Sequence, residues 1–163
     1  HRRILTLLPI HTISNKLLEK MLNKNNISQD DKKDSIQNVN KQKEMIHKLL
    51  KENKLEDDIV ELTKDEFEKL KPKLNIPELF SNLSINYTYE DYLKHLKETY
   101  EFAKQNKNYT IVKNNKRTFK NIQIHIQDTC IIISKNNSPN IHFVIHHPKL
   151  RKAIESFIPP ITE

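Results

Sequence analysis

None of the 163 residues is glycine. Backbone at positive φ is open to glycine without steric penalty, to asparagine at a small one, and is closed in practice to branched side chains. Left-handed turns and helix ends in this chain therefore fall to other residues, asparagine first. Asn25, Asn26, Asn53, Asn75 and Asn106 stand where such ends are expected. The missing glycine also argues against some chemistry. Loops that cradle phosphate and turns that expose a strained nucleophile normally need it, because backbone must approach a ligand or take positive φ.

Upstream of residue 108 the apolar residues recur at helical spacing. In residues 12–22, Ile13, Leu17, Leu18, Met21 and Leu22 form one stripe. Residues 28–54 read as a second helical stretch, polar at first. Ile36, Val39, Lys43, Ile46 and Leu50 then follow at alternating steps of three and four, with Met45 and Leu49 beside them. That repeat fits either a short coiled coil with a partner or an amphipathic helix on its own domain. Neither stripe has an evident home. Ile13, Leu17, Met21, Ile36, Val39, Ile46 and Leu50 are therefore the candidate partner-binding residues. Residues 1–10, a basic head and a short apolar run broken at Pro9, are expected to pack on a neighbour rather than to act as a signal peptide. Residues 55–60 read as a charged hinge. Thr63 and Glu66 form a capping box ahead of Phe67 and Leu70, and Pro72 ends that helix. Pro77 suits the first turn of another short helix, with Leu79, Phe80 and Leu83 on its apolar face. The strongest helical signal starts at a Thr88 cap and sets Tyr89, Tyr92, Leu93, Leu96, Tyr100 and Ala103 on one face, a core stripe.

From residue 108 onward the period changes to two. Strands are expected at 109–113, 119–127, 130–134 and 141–145, closed by a helix over 148–158. Ile122, Ile124 and Ile126 alternate with Gln123, His125 and Gln127, giving one buried and one wet face. The tight turn at Asp128 and Thr129 makes the second and third strands antiparallel. The expected fold class is α+β. A helical, partner-docking arm over 1–60 precedes a domain over 61–163, built from a helix, a four-stranded antiparallel meander and a C-terminal helix.

The charge is formally +7, from 28 Lys and Arg against 21 Asp and Glu, and is spread along the chain. One concentration falls at Lys113, Lys116, Arg117 and Lys120 in the expected first hairpin loop. With Arg151 and Lys152 on the last helix, these are the candidate nucleic-acid residues. No aromatic platform for stacking bases accompanies them. His125, His142, His146 and His147 are the one group that suggests a metal. Residues 142 and 146 would lie about 13 Å apart on a strand, too far to share an ion, so neither metal nor cofactor is expected. Cys130, the single cysteine, sits in an apolar strand and is hidden rather than nucleophilic. With no intrachain disulfide to form, a reducing compartment is expected, nucleus or cytoplasm. The Asn-x-Ser/Thr triplets at Asn82 and Asn86 are accidents of an asparagine-rich chain. No apolar run is long enough to span a membrane. Without a positioned acid–base pair or nucleophile motif, neither enzymatic activity nor a small-molecule substrate is expected.

The element order of the second half, helix, four strands and helix, is similar to the layout of RWD-type modules. A pleckstrin-like or other small α+β fold would read similarly. The RWD likeness implies a coiled-coil arm and a place in nuclear complexes, chromatin or kinetochore assemblies among them. The expected function is a non-catalytic subunit of an intracellular multiprotein complex that binds other protein subunits, given the low apolar fraction of 36% and several amphipathic helices without a home. The alternative is a nucleic-acid-binding module.

Overall fold

Ser14, Ser28, Thr63 and Thr88 each precede a helix, and each side chain accepts a backbone N–H of the first turn. They start α1 (Asn15–Lys24), α2 (Gln29–Glu52), α3 (Lys64–Leu70) and α4 (Tyr89–Gln105). The structure, a computed structural model, describes residues 2–6, 8–77, 82–113, 122–126, 129–135 and 142–157. At Thr63 both arms of the capping box with Glu66 are present. The polar residues 29–35 form the first part of α2. A further helix, α5 (Pro148–Phe157), follows the last strand.

The missing glycine leaves its mark at the helix ends. Asn25, Asn53 and Asn106 are C-caps, but none is left-handed. Among the described residues, positive φ falls on one of the expected asparagines, Asn26, at 53°, and otherwise on Lys71, at 45°. A lysine in this region bears roughly 1 kcal/mol of steric cost, accepted here because Pro72 follows and the helix cannot continue. Asn75 lies within a strand.

Among the described residues there are eight strands: β1 (Arg2–Thr6), β2 (Leu55–Ile59), β3 (Lys73–Pro77), β4 (Asn82–Asn86), β5 (Tyr109–Lys113), β6 (Ile122–Ile126), β7 (Ile131–Lys135) and β8 (His142–Ile145). Six form one mixed sheet in the order β5-β2-β1-β6-β7-β8. β1, β2 and β5 are parallel, whereas β6, β7 and β8 are antiparallel neighbours. The join is β1 against β6, antiparallel. β3 and β4 form a separate hairpin.

The chain is thus a mixed helix-and-strand fold, but its sheet differs from the expected meander. Only three strands meander. β5 lies at the far edge, in parallel register with β2 from Leu55↔Tyr109 to Ile59↔Lys113. Parallel neighbours need a crossover of a dozen or more residues. α1 and α2 supply it between β1 and β2; α3, the hairpin and α4 supply it between β2 and β5. Such pairing leaves no local mark in sequence. The boundary expected at residue 60 falls inside this sheet, because β1 and β2 from the supposed arm pair with β6 and β5. The supposed hinge at 55–60 is β2, and its acidic residues Asp57 and Asp58 are buried. Pro77 closes β3 instead of opening a helix, and Leu79 and Phe80 lie outside the described residues.

Most of the core lies outside the meander. α1, the first half of α2 and the β3–β4 hairpin enclose Leu18, Met21, Leu22, Leu74, Ile76 and Ile85. Ile46 and Leu50 of α2 pack on Leu55 and Tyr109, joined by Phe102 of α4. Leu8, Ile59, Val60 and Leu62 meet Phe67 and Tyr92. Burying each large apolar side chain contributes about 1.5–3 kcal/mol. The meander has a smaller cluster, Ile126 and Ile131, flanked by Ile124, Ile133 and Ile154 of α5.

Candidate functional site

Two places hold chemistry that a small helical core does not require: a buried polar network beside β1, and the outer end of the meander. The network begins at the 3-10 turn Ile10–Thr12 that follows β1. There the His11 ring sits edge-on to Phe102 and Tyr109, with centroids 5.2 and 5.3 Å away. Its Nε2 lies 3.1 Å from Asp57 Oδ2, which also accepts the Tyr109 hydroxyl. A carboxylate only accepts, so Nε2 carries the proton. Burial, and then the Asp57 charge, push the Tyr109 hydroxyl far above its ordinary range.

His11 Nδ1 has no hydrogen-bond partner among the described residues; His95, wholly buried in α4, is fixed more completely. Its Nε2 lies 2.9 Å from the Pro9 carbonyl and 3.1 Å from Thr12 Oγ1. The carbonyl can only accept, so Nε2–H donates and Nδ1 accepts from the Tyr87 hydroxyl at 2.5 Å. Burial drives its pKa from 6.5 down to about 3. A neutral ring with both nitrogens engaged is a structural clamp rather than a base or a ligand. Thr99 continues the network, bonding Thr12 at 2.8 Å and the His95 carbonyl at 2.8 Å. Tyr92 joins α4 to the end of β2 by accepting from the Leu62 N–H and donating to the Val60 carbonyl; burial pushes its hydroxyl up to about 12. Asp91 is buried beside Lys20 and Lys24, 3.3 and 3.4 Å away. Burial works against its charge, but the Thr88 hydroxyl and the two lysines more than offset it, so the carboxyl titrates low. A groove opens elsewhere, between α1 and α2, with a volume of about 320 Å³ lined by Glu19, Leu22, Lys32, Lys33 and Ile36 among others. No three His, Cys, Asp or Glu side chains among the described residues gather as for a metal. The network ties the turn after β1 to β2, β5 and α4.

The candidate partner-binding residues are used internally. Ile13, Leu17, Met21 and Val39 are buried in the first cluster, and Ile36 packs against it. Ile46 and Leu50 are buried under β2 and β5. This corrects the expectation that they face a partner: the hairpin and β2 cover them, and neither element was apparent in the sequence. Of the candidate nucleic-acid residues, Lys113 is paired with Glu61 at 2.6 Å and Arg151 with Glu155 at 2.9 Å. Burial raises the Glu61 carboxyl, but hydrogen bonds from Lys113 and Tyr100 outweigh it, and the acid titrates low. Lys152 is exposed, and Lys116, Arg117 and Lys120 lie outside the described residues. The basic candidates are not brought together as a described patch.

The outer end of the meander is different. Phe143 and Val144 on β8 are 61% and 55% exposed, and Leu150 on α5 is 47% exposed. Phe143 stands opposite Ile133 and Val144 opposite Ile132, so the two project from opposite faces of the sheet. In sequence, Phe143 alternates onto one face with Ile145. Its alternation showed which side chains share a face, but not that nothing covers it. Comparison with protein-family models, curated proteins and solved structures finds no match to this chain.

Proposed function

We propose that the chain is a non-catalytic interaction module, a subunit that holds a partner protein at the β8–α5 end of its sheet. The observation that carries this reading is the exposure of Phe143 and Val144 on the outermost strand. Three of the five large apolar side chains exposed among the described residues lie at this end. The others, Met45 and Leu93, stand singly on α2 and α4, as scattered surface apolar residues do. The enclosed histidines support the non-catalytic part. The ion pairs of Lys113 and Arg151 weigh against phosphate as the main partner, because each cation is already neutralised.

The test is a photo-crosslinking side chain placed at position 143 of the full chain, with position 93 as the control, irradiated in extract of the cells that make the protein. The same discrete protein adduct should form from 143 and not from 93. Equal labelling from both positions, or none from 143, would sink the reading.

A further inference from the structure

We infer that the partner segment is extended and acidic, and that it joins the sheet as a new strand beside β8; this rests on the reading of the β8–α5 end as the interaction surface. β8 pairs with β7 on one side, and among the described residues no strand lies on the other. An edge strand presents a row of backbone N–H and C=O groups that an added strand can pair. The opposite edge, β5, is blunted: its exposed side chains are Thr110 and Lys113, and the lysine is tied to Glu61. β8 instead exposes Phe143 and Val144.

Their placement separates an added strand from a docked helix. A helix laid on the sheet covers one face. Phe143 and Val144 project from both, and a strand whose own side chains alternate covers both at once. On the face of Phe143 and Ile133, α5 packs through Ile154 and leaves Leu150 half exposed, so an apolar side chain of the added strand has neighbours there. Charge selects the occupant. Lys149 and Lys152 are exposed and have no ion-pair partner among the described residues, and His146 and His147 are exposed between them and β8. A second copy of this chain would bring the same cations together, whereas an acidic segment would complement them.

The experiment selects short random linear peptides on the full chain. Enriched peptides should carry net negative charge with apolar residues at alternate positions. Their binding should fall by about tenfold or more in Val144→Lys, and also in the double variant Lys149→Glu/Lys152→Glu, which leaves β8 untouched. Added salt should weaken it, and the amides of β8 should gain protection from hydrogen exchange on binding. Neutral or basic peptides, equal binding to Val144→Lys, or binding without β8 protection would overturn the inference. A concentration-dependent dimer of the chain alone that protects β8 would overturn it in favour of self-pairing. If position 143 crosslinks a partner but no acidic peptide binds, the added strand fails while the interaction module stands. If neither is seen, both fail.

Discussion

At one end of the six-stranded sheet, β2 and β5 lie under α2 and α4. At the other, the ten-residue helix α5 packs on β6 and β7, and β8 lies outermost. The two ends reverse the usual rule of residue placement. Under the helices, two aspartates and a histidine are buried: Asp57 at 0%, Asp58 at 1% and His11 at 6% exposure. Beyond α5, a phenylalanine and a valine face outward. Residue type alone does not decide what is inside; the number of layers over a strand does. Asp57 survives in the covered half because a hydroxyl and an imidazole donor meet it. Apolar side chains remain exposed in the thin half because no second element reaches β8 among the described residues.

The contrast can be broken by measuring stability at each end. The largest effect is expected from Leu18→Ala, which empties part of the first cluster and should lower stability by about 2–5 kcal/mol in urea unfolding. A loss below that of an exposed site would mean the helical half is loosely packed. Next is the dependence on acid. Unfolded, His95 takes up a proton near pH 6.5; folded, it does so only near 3. Between those values the unfolded chain holds more protons. The contribution is therefore fully present above pH 6.5 and is lost as pH falls toward 3, at about 1.4 kcal/mol per pH unit. His95→Gln should be less stable at neutral pH but flatter across that window. Parallel pH profiles for the two proteins would refute the clamp. Smaller again is Tyr92→Phe. It strands the buried N–H of Leu62 and should cost about 1–3 kcal/mol in thermal or urea melts.

Much of this layout can be read in the sequence, and the failures have a common cause. Thr63 and Thr88 announce helix starts because a cap is a local interaction, satisfied within three residues. The strands expected at 109–113, 119–127, 130–134 and 141–145 overlap β5 to β8, because β-branched runs and alternation are local signals too. β1 and β2 were missed because their partners are far along the chain, and because Glu56, Asp57 and Asp58 look like solvent-facing residues. The donors that make Asp57 tolerable, His11 and Tyr109, stand 46 and 52 residues away. Ile13, Leu17 and Val39 seemed homeless for the same reason: the hairpin that covers them begins at Lys73. Phe143 is the converse case, since alternation sets which side chains share its face but does not say whether anything lies above.

Phe143→Lys should have the smallest effect on stability, and it tests the contrast most directly. The side chain is 61% exposed, so replacing it removes little buried area, and a surface change of this kind stays within about 0.5 kcal/mol. Ile131, a neighbour on the adjoining strand, is fully buried, and Ile131→Lys would place an unpaired charge in the small cluster with Ile126 and Ile154. The first variant should melt with the wild type, while the second should lose the meander signals in an amide spectrum at the same temperature. If Phe143→Lys instead unfolds the meander as Ile131→Lys does, β8 is covered in solution by another part of the chain, and the two ends differ less than their described layers indicate. If it leaves the fold intact but abolishes the crosslink from a probe at the neighbouring position 144, the exposed pair serves contact rather than stability. The thin end is then thin because its missing layer belongs to the partner.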